Sequence, residues 1–139
     1  MLLASREDER QVNEFWKHLA ALRRQIADVT WATVYVEDIH EAYALVPSQA
    51  EPYWVVGCCS HTFVSTVLDE PAVREVIEGA SRKIPFILSP CAWNEWPSPF
   101  ANTMPFTNKA LSEVGRRLQD NVLVDCVRQL RDIVMREVA

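Results

Sequence analysis

"YWVVGCC", residues 53–59, is an unbroken apolar run of strand length. A strand with one wet side alternates polar and apolar residues, and this one offers no wet side. It reads as a strand covered on both faces, which implies a parallel sheet between two layers of helices. A second run of the same kind follows at 83–90, "KIPFILSP". Between them Val73, Val76, Ile77 and Ala80 recur at steps of three and four. The spacing predicts a helix over 71–80, with Pro71 in its first turn and Gly79 near its end. The polar stretch from Ser60 to Asp69 is read as the connecting loop.

Working upstream, "MLLAS" opens the chain as a short first strand. Val12, Phe15, Trp16, Leu19, Leu22 and Ile26 then form one apolar stripe against Glu14, Lys17, Arg23 and Arg24, the pattern of an amphipathic helix. "VTWATVYV", residues 29–36, is rich in β-branched and aromatic side chains and predicts a second strand. "EDIHEAYALV" predicts a short helix, broken by the two prolines of "PSQAEP". Downstream, residues 91–109 form a long loop bearing prolines and tryptophans. A last helix is expected from about Asn121, with Leu123, Val127, Leu130, Val134 and Val138 on its apolar face. Strands alternating with helices give an α/β fold. Such sheets bind ligands beyond the carboxyl ends of their strands. The segments to watch are Ser5–Asp8, the residues from Glu37, Ser60–Asp69 and those from Ser89.

The 139 residues suit a single domain, 1–139, with one core. A net charge of −5 argues against broad capture of nucleic acid. Arg116, Arg117, Arg128, Arg131 and Arg136 are read as solvated cations near a helix C-terminus. No apolar run approaches the roughly 20 residues of a membrane helix, and the first ten residues do not read as a signal peptide. Cys58 and Cys59 fall within a buried strand, which fits reduced thiols and a cytoplasmic location. Cys58, Cys59, His61 and Cys91 lack zinc spacing, and no metal is expected. Three glycines, Gly57, Gly79 and Gly115, leave no phosphate-binding loop.

Three segments together resemble a Toll/interleukin-1 receptor (TIR) domain of the bacterial type. "LLASREDERQVNEFWKHLAALRRQ" is similar to the family's first strand, Ser-x-x-Asp loop and first helix. "VVGCCSHTFVS" is similar to its third strand, which ends in Ser-x-x-Phe and a second serine. "KIPFILSPCAWNEWPSPFANTMPFTNKALS" is similar to its fourth strand, Pro-Cys-x-Trp loop and the approach to a last short strand. The resemblance implies a flavodoxin-like three-layer sandwich of about five parallel strands. It also implies one of two occupations. One is assembly with other TIR or effector domains, or with itself, in prokaryotic defence or signalling. The other is cleavage of NAD+ at the nicotinamide–ribose bond. A third reading is a domain that senses a nucleotide without cleaving it.

For NAD+ cleavage the resemblance calls for a glutamate on the helix after the third strand. A carboxylate there holds ribose hydroxyls and stabilises the cationic ribose left when nicotinamide departs. Glu75 is the candidate, with Glu70 and Glu78 as rivals. A residue on the wet edge of an amphipathic helix would look the same. Ser5, Arg6, Ser60 and Phe63 are the candidate contacts to NAD+ as substrate or ligand. Ser5 reads equally as a helix cap. Trp93 is expected to pack on the domain itself, leaving Trp96 free. The segment after the second strand departs from the family, with no glycine between Met1 and Trp54. A turn that needs positive φ cannot be copied there. That departure favours an interaction module over an enzyme.

Overall fold

A computed structural model of the protein describes residues 1–26, 29–45, 52–107 and 109–138. Four strands pair in parallel: β1 (Leu2–Ala4), β2 (Thr33–Tyr35), β3 (Trp54–Cys59) and β4 (Arg82–Ile87). Their order across the sheet is β2-β1-β3-β4. Among the described residues six helices flank them: α1 (Glu9–His18), α2 (Ala20–Gln25), α3 (His40–Leu45), α4 (His61–Asp69), α5 (Pro71–Glu78) and α6 (Arg116–Val138). The chain is therefore α/β with an all-parallel sheet, as the two continuous apolar runs require.

The two-residue period of the strands divides the interior. Leu2, Ala4, Val56, Cys58, Ile84 and Phe86 face one side, where α1 and α6 supply Phe15, Leu123, Cys126 and Leu130. Leu3, Val55 and Cys59 face the other, against Ala42, Phe63, Val67, Val73 and Ile77 from α3, α4 and α5. Both faces of β3 are covered, so neither accepts a polar residue.

Several elements differ from expectation. The stretch after β3 is not a loop but α4. Ser60 caps it, its hydroxyl accepting the Phe63 N–H at 3.2 Å, and Phe63, Val64 and Val67 form its buried stripe. The next helix, α5, starts at Pro71 as predicted and stops at Glu78, with Gly79 as its C-cap. The first amphipathic stripe is shared by two helices that break at Leu19, whose N–H is divided between the Phe15 and Trp16 carbonyls. β2 (Thr33–Tyr35) is confined to the second half of the predicted 29–36. The last helix begins at Arg116, earlier than Asn121. Of the predicted break "PSQAEP", all but Pro52 lies outside the described residues.

Four strands are found among the described residues, where about five were expected. Where a last short strand was expected, Leu111–Glu113 forms a 3-10 turn. β4 itself gives a reason. The Leu88 N–H donates to the Cys59 carbonyl at 2.8 Å, so by alternation Ile87 and Pro85 turn their backbone away from β3. Proline has no N–H to offer a neighbour on that side, and it belongs at a sheet edge.

Candidate functional site

From β1 the chain steps outward to β2, then returns across β1 to β3. The switch of direction lies between β1 and β3, and the loops leaving those two strands part there. The residues at this point are Ser5–Asp8 and Ser60–Phe63.

Ser5 is fully buried at the end of β1. Its hydroxyl donates to Glu37 Oε1 at 3.0 Å, just beyond β2, and it accepts weakly from the Glu7 N–H at 3.4 Å as the cap of a 3-10 turn. The Arg6 N–H donates to both oxygens of the same Glu37 carboxylate, at 3.2 and 3.1 Å. The Arg6 guanidinium pairs with Asp38 and lies 4.7 Å from the Tyr35 ring centre. Across the switch point the Ser60 hydroxyl donates to Asp8 Oδ2 at 2.5 Å, and the Thr62 hydroxyl donates to Glu7 Oε2 at 2.6 Å. The loops after β1, β2 and β3 are thus laced together by hydroxyls, one guanidinium and four carboxylates.

Burial pushes the Asp8 carboxyl up from its ordinary value. The Ser60 hydrogen bond opposes this, and the negative charges of Glu7 and Glu37 add to it. A half-buried carboxyl at a switch point can move a proton or grip a hydroxyl-bearing ligand. Among the described residues no group of three His, Cys, Asp or Glu side chains is arranged to hold a metal. No helix among them is long and apolar enough to cross a membrane.

Ser5, Arg6 and Ser60 are brought together here. Phe63 lies beneath them with its ring fully buried against Phe100, so what it presents to the site is a backbone N–H already taken by Ser60. Glu75 is set apart. It is exposed on α5, whose last turn is tied to the start of β3: the Tyr53 hydroxyl donates to the Val76 carbonyl at 2.6 Å. Tyr53 precedes β3 and Ser60 follows it, so roughly 20 Å of strand separates them. Glu70 and Glu78 are exposed as well. Asp8, Glu7, Glu37 and Thr62 were not singled out from sequence as site residues. The signal for Asp8 was present as the last position of Ser-x-x-Asp. Glu37 carried none beyond following a strand.

Trp93 packs against the buried cluster on the α3, α4 and α5 side of the sheet, while Trp96 is 89% exposed. No family model, curated protein or solved structure matches this chain.

Proposed function

We propose that the chain is a TIR-like signalling module that works by protein–protein assembly, with a second copy or another domain of its kind as partner. The observation that carries this reading is the loop after β4. It holds Trp96 and Met104 out at 89% and 83% exposure while being anchored from within. Phe100 is buried with its ring against β3, the buried Ser98 hydroxyl accepts the Phe100 N–H at 3.2 Å, and the Thr103 hydroxyl holds the Phe100 carbonyl. Apolar anchors on a fixed backbone cost little ordering entropy when they bind.

Light scattering over a range of concentrations tests this. The expected result is a mass that rises with concentration in the wild type and stays monomeric in Trp96→Ser with Met104→Ser. A wild type that stays monomeric at every concentration, with and without a crowding agent, overturns the self-association arm.

NAD+ cleavage is the second reading. The convergence of Ser5, Asp8 and Ser60 at the switch point favours it, since carboxylates and hydroxyls suit a ribose. The position of Glu75 weighs against it. Nicotinamide release by wild type but not by Glu75→Ala would replace the first reading. Release by neither leaves Glu75 as a solvated helix residue.

A further inference from the structure

α6 is the longest helix among the described residues, and one line along it faces solvent. Arg117, Asn121, Val124, Arg128, Arg131 and Met135 follow one another at steps of four and three, and all are exposed. The line lies away from Leu123, Cys126, Leu130 and Val134, which bury the helix against the sheet. It holds three arginines and two apolar side chains, Val124 at 47% and Met135 at 38% exposure. Asp120, Asp125, Asp132 and Glu137 fall off it. Arg128 pairs with Asp125 at 3.3 Å and Arg131 with Asp132 at 3.8 Å, while Arg117 has no carboxylate partner among the described residues.

The other side of the sheet carries the opposite charge. Asp69, Glu70, Glu75 and Glu78 are exposed at the end of α4 and along α5, and none of them pairs with a cation among the described residues. These two helices hold no lysine and one arginine. That arginine, Arg74, is half-buried, and its guanidinium donates to the Leu68 carbonyl. The loop that holds Trp96 and Met104 out is rooted on this same side, through Phe100 and Trp93. One side of the sheet therefore presents carboxylates with apolar anchors, and the opposite side presents guanidiniums with apolar side chains between them.

We propose that copies of this chain associate head to tail, the α5 side of one copy seated on the outward line of α6 of the next. This contact rests on the self-association proposed above and names the two faces that meet. Copies of net charge −5 repel one another at a distance, so a stable contact must join faces of opposite sign. Exposed ion pairs are individually weak. The charges set orientation and register, while Trp96 and Met104 supply the binding energy, so loss of those two anchors leaves a monomer. The two faces lie on opposite sides of the sheet and differ from each other. The contact is therefore heterologous, and it leaves a free face at each end for further copies.

Sedimentation velocity of the full chain over a range of concentrations tests this, at about 0.05 and about 0.5 M sodium chloride. Wild-type association is expected to pass beyond the dimer and to weaken about tenfold at the higher salt. Screening of net charge alone would act in the other direction, by relieving repulsion between like copies. Glu75→Arg with Glu78→Arg, and separately Arg128→Glu with Arg131→Glu, are each expected to abolish self-association. An equimolar mixture of the two variants is expected to restore it, because each reversed face then meets its opposite. Association retained in either variant, a mixture that stays monomeric, or a wild type that stops at the dimer overturns the proposal. If Trp96→Ser with Met104→Ser is monomeric in that case, self-assembly itself stands and only these faces are wrong. A wild type that is monomeric at every concentration overturns both. Should a reversed variant fail to fold by circular dichroism, the unaltered chain decides: association that is unchanged or strengthened by salt overturns the head-to-tail contact.

Discussion

Ser60 does two jobs with one oxygen. It accepts the Phe63 N–H as the cap of α4 and donates its proton to Asp8. The first job was hidden in the sequence because "HTFVSTVLD" is rich in β-branched residues, which weakly disfavour helix. Tertiary packing of Phe63, Val64 and Val67 overrides that preference. The second job joins residues 52 positions apart, and no local pattern announces it. The cysteines were the more legible residues. Burial pushes Cys58 and Cys126 up to about 12 and Cys59 well above its ordinary value, whereas Cys91 is only half-buried. The thiolate is the reactive form. Limiting iodoacetamide at neutral pH is expected to label Cys91 first in the folded protein, with Cys58, Cys59 and Cys126 following only in denaturant. Peptide mass mapping reads the order, and early labelling of Cys58 or Cys59 would contradict the buried strand.

Gly57 in the middle of β3 looks in sequence like a weak point in a strand. It is a docking place for the loop after β4. A Cβ built there would lie 2.3 Å from Phe100 Cζ, with two more ring atoms at 2.9 Å. Gly57→Ala should destabilise by about 1–3 kcal/mol, since the group that must shift is a buried aromatic ring. Urea unfolding measures this, and adding Phe100→Leu should recover part of the loss. An unchanged midpoint for Gly57→Ala would mean the ring is not seated on β3. α6 holds the other surprise. Arg116 and Arg117 occupy its first turn, where the helix dipole disfavours cations by about 0.3–1 kcal/mol each. Of the five arginines read as helix C-terminal cations, Arg136 alone lies in the last turn. The early start escaped the sequence reading because Leu118 is exposed and begins no apolar stripe.

The sheet separates two buried clusters, one under α1 and α6 and one under α3, α4 and α5. Ile77→Val and Leu130→Ala lie in different clusters. They are expected to cost about 0.5–1.5 and 2–5 kcal/mol. Because the sheet keeps them apart, the double variant should show their sum to within about 0.5 kcal/mol. Chemical denaturation with two probes should still give one transition, because the strands belong to both clusters. A large coupling energy would mean that the faces communicate through β3. Short apolar runs and helical periodicity were enough to read a parallel α/β chain, because each strand is buried on both faces and the pattern is local. They placed β1, β3, β4, α3 and the start of α5 close to where they lie. Strand number, the helix after β3 and the convergence of Asp8, Glu37 and Ser60 were set by packing. Pro85 turns outward only once β4 has paired, α4 forms only against its core, and the carboxylates meet only because the strand order brings three distant loops to one end of the sheet.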